Sequence, residues 1–280
     1  MHRCHDAHAS GYWTGPGNDD ARCATSPRST AMRLKNPRRG SLSGSVNRAI
    51  LRSVNPLARL FDRLLGWLKW PVAIAALIFL PGLLYALSFV IRGIIAHPGN
   101  CVPFLLGAGA YAAFFIGFAR RRVGFWTIVE HELTHVVFAW ATFHRVVGFS
   151  ALRGGGHVRY IGRGNWLIAI APYFFPMFTV LVIATLSLLP PRHLEVGAAV
   201  LGASVAHHIL STWSETHRHQ TDLREVGWLW SWLFLPSINA FVLGIVLAYA
   251  AGTRSLTAHL SHVREPSLAF FHLLAKLLPG

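Results

Sequence analysis

From Val123 to Trp140 the chain reads Val-Gly-Phe-Trp-Thr-Ile-Val-Glu-His-Glu-Leu-Thr-His-Val-Val-Phe-Ala-Trp. Within it, His131-Glu132-Leu133-Thr134-His135 sets two imidazoles four positions apart. On a helix, positions i and i+4 share a face, so His131 and His135 can both reach one zinc ion. Glu132 is turned about 100° from His131 around the axis, beside the metal and not on it. A carboxylate there can take a proton from a metal-activated water, which is the chemistry of metal-assisted hydrolysis.

Two imidazoles do not complete a catalytic site, which usually has three protein ligands and a water. Candidates for the third cluster in Val205–Trp228, VAHHILSTWSETHRHQTDLREVGW: His207, His208, Glu215, His217, His219, Asp222 and Glu225. Asp222 follows a short polar turn and opens the last apolar stretch, where a helix end near the membrane can hold it. Glu215 and His217 read as solvated turn residues. Glu130, just before the motif, reads either as a group orienting a ligand or as a partner of Arg120–Arg122.

The elements that position these residues are apolar. Of 280 residues, 53% are hydrophobic and 13% charged, about half the ~25% charged share of a soluble domain. That excludes a disordered or collagenous chain and points to a membrane protein. Segments 71–91, 93–119, 164–191, 196–214 and 226–253 lack Asp, Glu, Lys and Arg, and each can hold the ~20 residues that cross a hydrocarbon core. A sixth, 123–143, is as apolar apart from the motif and Glu130. The expected fold is an all-α polytopic membrane protein of about six transmembrane helices. Five result if one segment inserts only partly. Glu130 and Glu132 are the two acids inside these spans, and an acid within a bilayer marks function.

Between the third and fourth spans, 149–153 and 157–161 flank three glycines and predict a short β-hairpin. Residues 1–45 read as a disordered basic tail without the apolar core of a secretory signal. Residues 46–70 read as an amphipathic surface helix, 71–253 as the membrane domain and 254–280 as an interfacial helix. The net charge is +15, of which residues 1–69 carry +8. Ahead of membrane spans, that basic flank suits anionic lipid better than nucleic acid. Basic residues at both ends of the third span leave the orientation of the chain open. Cys4, Cys23 and Cys101 are odd in number and widely spaced, so no disulfide framework follows.

The membrane-embedded HELTH, the glycine hairpin, Ala171-Pro172 in APYFFP and Gln220-Thr221-Asp222-Leu223 together resemble the site-2-protease-like intramembrane zinc metallopeptidases. The resemblance covers about residues 100–250. It implies one zinc ion held by His131, His135 and Asp222, with Glu132 as the catalytic base. It also implies a membrane-spanning protein as substrate, which the hairpin would present as an added strand, and a multi-pass location in the cell (inner) membrane. The sequence departs from the family's pattern at Thr134, where a Gly is usual, and lacks a Gly after Asp222. No segment is long enough for a PDZ insert.

Two other classes compete with this reading. A histidine-box di-iron oxygenase would draw on His131, His135, His144, His157, His207, His208, His217 and His219, but the paired His-x-x-His-His boxes are missing and Glu132 would be idle. A non-catalytic metal-binding membrane scaffold would need the ligands and not Glu132. Oligomeric state, substrate identity and regulation are not encoded in any recognisable pattern.

Overall fold

The computed structural model describes residues 54–119, 124–152, 155–190, 194–217 and 220–277. The expected basic tail and the first residues of the expected surface helix lie outside them. The described chain is mostly helical, with a single two-stranded antiparallel sheet.

Helix α1, Pro56–Ala96, runs 41 residues without interruption. Asn55 caps it by accepting from the Leu57 N–H at 3.0 Å, and Pro56 opens its first turn. The surface helix and the first span expected from sequence are thus one rod. Pro71 and Pro81 lie inside it and do not break it. At about 1.5 Å per residue it is roughly twice as long as a bilayer core is thick.

A 3-10 turn at Pro98–Cys101 leads into α2, Val102–Phe114, which ends in a π-turn at Phe115–Ala119. Helix α3, Gly124–Ala141, carries the HELTH motif. The hairpin follows, β1 Arg145–Leu152 against β2 Gly155–Ile161, with Ser150 facing His157 and Ala151 facing Gly156. The predicted hairpin is therefore present, longer than expected, with a bulge between Val146 and Gly148.

Next come α4, Trp166–Ile170, a 3-10 turn at Ala171–Tyr173, and α5, Met177–Leu186, bent from α4 by 73°. Pro172 and Pro176 remove two amide donors there, which accounts for the break. Helix α6 spans Leu194–Glu215, α7 Thr221–Val226, α8 Trp228–Ala250 and α9 Thr253–Leu277.

Three helices, α1, α6 and α8, are long and apolar enough to cross a membrane, and the bent pair α4–α5 makes a fourth if it counts as one span. Among the described residues the other apolar segments do not form helices of that length and character, for a physical reason. Composition marks a segment as apolar but does not say where prolines divide it. The 93–119 segment is split by Pro98 and Pro103, leaving in α2 a helix about two-thirds of a bilayer core in length. Helix α3 has the length but carries four ionisable side chains.

Close helix contacts fix the frame. Helices α2 and α6 cross where Gly202 meets the Phe104 carbonyl and Gly107 meets the Ala199 carbonyl, and a Cβ at either glycine would collide with that backbone. Helix α9 folds back along α1, with Ser267 and the Val263 carbonyl packed on Gly82. The largest core joins α4, α7 and α8 through Ile170, Ala171, Tyr173, Leu223, Val226 and Trp230. The outward faces of α1 expose Ile74, Leu77, Phe79, Leu84 and Ile95, as lipid contact requires.

Candidate metal centre

Helix α3 turns His131 and His135 to one side, their rings 4.8 Å apart and nearly perpendicular. Asp222 comes in from the first turn of α7. Its Oδ2 lies 3.1 Å from His131 Nε2 and 3.4 Å from His135 Nε2. The three ligand atoms are all within 4.8 Å of one another, and no other group of three or more His, Cys, Asp or Glu among the described residues converges in this way. Two imidazoles and a carboxylate, brought from sequence positions some 90 residues apart, form a donor set that suits a divalent metal ion.

The far nitrogens of both imidazoles are engaged elsewhere. His135 Nδ1–H donates to the Ile168 carbonyl at 2.8 Å. His131 Nδ1–H donates to Glu215 Oε2, also at 2.8 Å. Each bond fixes a ring orientation with Nε2 turned to Asp222, so that a bound metal ion would meet both Nε2 atoms, the arrangement that metal-bound histidines use. Glu215 was expected in a solvated turn. Helix α6 instead continues through it, so its carboxylate points back at α3.

Asp222 is held by its neighbours more than by its own helix of six residues. Leu223 and Val226 are fully packed in the core. Lys69 Nζ donates to the Val226 carbonyl at 2.6 Å, and Trp230 Nε1 donates to the Lys69 carbonyl at 2.7 Å. Helix α1 thereby clamps the element that carries the third donor.

Glu132 is buried and lies directly under β2. A Cβ on Gly156 would collide with Glu132 Cγ and stand 2.6 Å from its Oε1. The glycines of the hairpin thus have a role beyond the turn: a bare backbone at 156 lets the strand pass over the carboxylate.

Glu130 faces away from this centre. Its Oε1 accepts from the Phe178 N–H at 3.1 Å, an otherwise unpartnered amide in the first turn of α5. Its Oε2 lies 2.9 Å from His207 Nε2, close but outside hydrogen-bond alignment. His207 Nδ1 meets the Tyr111 hydroxyl at 2.5 Å. The expected partners Arg120–Arg122 lie outside the described residues, as does His219.

The other sequence candidates fall apart from the centre. His207 and His208 belong to the Glu130 side, and the His208 Nε2 is buried without a hydrogen-bond partner. His144 pairs with Asp62 at 3.2 Å and so ties the hairpin base to α1. Glu225 borders a separate cleft with Asp62 and Lys69.

Tyr173 gave no signal in the sequence beyond its place in APYFFP. Its ring stands edge-on to His131 at 5.4 Å, and its hydroxyl is buried with no partner in hydrogen-bond geometry. No protein-family model, no curated protein and no solved structure matches the chain.

Proposed function

We propose that the chain is an intramembrane zinc metalloprotease, an endopeptidase that hydrolyses peptide bonds of membrane-embedded protein substrates. One observation carries the reading: a buried Glu132 stands next to a converging His131, His135 and Asp222 donor set, in a fold whose α1, α6 and α8 are long and apolar enough to cross a membrane. A scaffold that only binds metal needs the donor set and has no use for that carboxylate. Among the described residues the histidines that a di-iron site would recruit do not gather, with His144, His157 and His207 each in a different part of the fold.

Zinc is the metal of choice on geometric and chemical grounds. Ligand atoms about 2.0–2.2 Å from a tetrahedral zinc stand roughly 3.3 Å apart. The Asp222 oxygen is 3.1 and 3.4 Å from the two imidazole nitrogens. The ion, one per chain, would supply Lewis acidity, lowering the pKa of a water and polarising a carbonyl.

The residues of the chain do the rest. Glu132 accepts a proton from the attacking water. The water oxygen forms a bond to the peptide carbonyl carbon, and the carbonyl π electrons move onto its oxygen. Glu132 then returns the proton to the amide nitrogen as the C–N bond breaks, giving a carboxylic acid and an amine. A helical substrate hides its carbonyls in its own hydrogen bonds and has to unwind first. The β2 strand over Glu132 offers an edge on which an unwound segment can add as a further strand. On this reading α2, α3 and the bent pair α4–α5 are the membrane domain's remaining apolar segments beside α1, α6 and α8, about six in all.

The test co-expresses wild type and Glu132→Gln with a panel of single-span membrane proteins. Cleavage of at least one panel member by wild type, reduced by about 10²–10⁴ in Glu132→Gln, is expected of a lost general base. Equal cleavage by both would contradict the mechanism.

A further inference from the structure

A cleft of about 260 Å³ opens between α6 and α8, lined by Thr212, Trp213, Trp228, Trp232, Leu243 and others, and almost entirely apolar. Its inner end is Tyr173. Thr216 and Leu223, the chain neighbours of Glu215 and Asp222, also border it, so the cleft leads from the lipid-facing side of the bundle to the edge of the donor set.

Tyr173 occupies the junction. It is 1% exposed, its ring is set edge-on against His131, and its phenol O–H is buried with no hydrogen-bond partner. Leaving such a donor unpaired costs stability, so an unpaired one at a site calls for an account. The backbone beneath it is rigid. Tyr173 sits in a 3-10 turn held by Pro172, and Asn239 Nδ2–H donates to its carbonyl at 3.0 Å. The two imidazoles of the centre have partners on their far nitrogens: His131 has Glu215 and His135 has the Ile168 carbonyl.

We infer that Tyr173 is a catalytic residue of this site, whose hydroxyl donates a hydrogen bond to the carbonyl oxygen of the scissile peptide as negative charge builds on it. The role rests on the hydrolase reading above. A rigid neutral donor in a dry site is the device that stabilises a developing oxyanion without reorganising when charge appears. Thr212 Oγ1 and His208 Nε2 on the same cleft are also buried without partners, but of the three only Tyr173 has its ring against a ligand of the donor set, His131. The same placement explains why the hydroxyl is unpaired at rest: its acceptor arrives with the substrate.

The test uses the full-length zinc-loaded protein in detergent and two small probes. One is a phosphinic dipeptide, whose tetrahedral P–O⁻ mimics the oxyanion. The other is acetohydroxamate, which binds zinc without presenting that oxygen. Zinc per chain and the affinity of each probe, read from tryptophan fluorescence, are measured for wild type and Tyr173→Phe. The expected result is unchanged zinc, unchanged hydroxamate affinity, and phosphinate affinity lower by on the order of tenfold to a hundredfold, in keeping with loss of one oxyanion donor. Equal phosphinate affinity in both proteins overturns the role of Tyr173 while leaving the hydrolase reading intact. Loss of zinc in Tyr173→Phe also overturns it, because the phenol would then be supporting Asp222. A wild type that holds zinc and binds neither probe overturns the hydrolase reading, and the role of Tyr173 with it.

Discussion

Helix α3 carries two polar faces, and they are built differently. On one face His131 and His135 each spend Nδ1 on an outside acceptor, Glu215 or the Ile168 carbonyl, so that both Nε2 atoms point at Asp222. On the other, Tyr111 engages His207 Nδ1, Glu130 accepts from the first turn of α5 and lies 2.9 Å from His207 Nε2, and no third ligand atom converges. Both faces place ionisable groups in an apolar bundle. Only the first leaves lone pairs aimed at a common point. Ionisable residues in an apolar bundle therefore do not mark a reactive centre by their presence alone; the convergence of a third ligand atom, Asp222, separates the two faces.

Three substitutions sharpen that contrast. Gly156→Ala has the largest expected effect on turnover, because its Cβ collides with Glu132 Cγ. The carboxylate has to shift, and cleavage should fall toward the ~10²-fold or greater loss that follows removal of a general base. Zinc should stay at one per chain. Cleavage assayed beside metal content checks this, and wild-type turnover would show that the strand yields without cost to Glu132.

Glu215→Gln comes next. The amide can still contact His131 Nδ1 but no longer bears the charge that orients and strengthens the ring as a ligand. Metal affinity should drop about 10–100-fold, the usual effect of losing such a partner. Competition against a fluorescent zinc chelator measures it. An unchanged affinity would return Glu215 to the solvated turn that the sequence alone implied.

His207→Ala is expected to leave the metal centre alone. It removes the hydrogen-bond partner of the Tyr111 hydroxyl and leaves that group unpaired, a change worth about 1–3 kcal/mol of stability when the group is buried. Thermal denaturation in detergent should report the loss while zinc per chain holds at the wild-type value. Loss of zinc without loss of stability would mean that the two faces of α3 are one site.

Sequence patterns reached some of this and missed the rest for definable reasons. The HELTH spacing places His131 and His135 on one face because helical periodicity is local. Asp222 was reachable because a polar turn before an apolar run is also a local signal, reinforced by the family resemblance. The partnerships His131–Glu215 and Glu130–His207 join residues more than 75 positions apart, and no periodicity reports them. The hairpin was legible from its glycines, but the contact of Gly156 with Glu132 was not. Hydropathy marks six apolar segments where three helices, or four with the bent pair, reach spanning length among the described residues, because it does not show how prolines divide a segment. The merger of 56–70 with the first span went unseen because amphipathic and apolar stretches can share one helix when nothing stops the hydrogen-bond ladder between them.

The central claim is that His131, His135 and Asp222 hold one zinc ion which Glu132 uses without binding. Elemental analysis of the purified protein beside its Asp222→Asn and Glu132→Gln variants tests it most directly. The account predicts one zinc per chain in wild type and in Glu132→Gln, and its loss in Asp222→Asn with the fold retained. Zinc in Asp222→Asn at the wild-type level, or two irons in wild type, would contradict it.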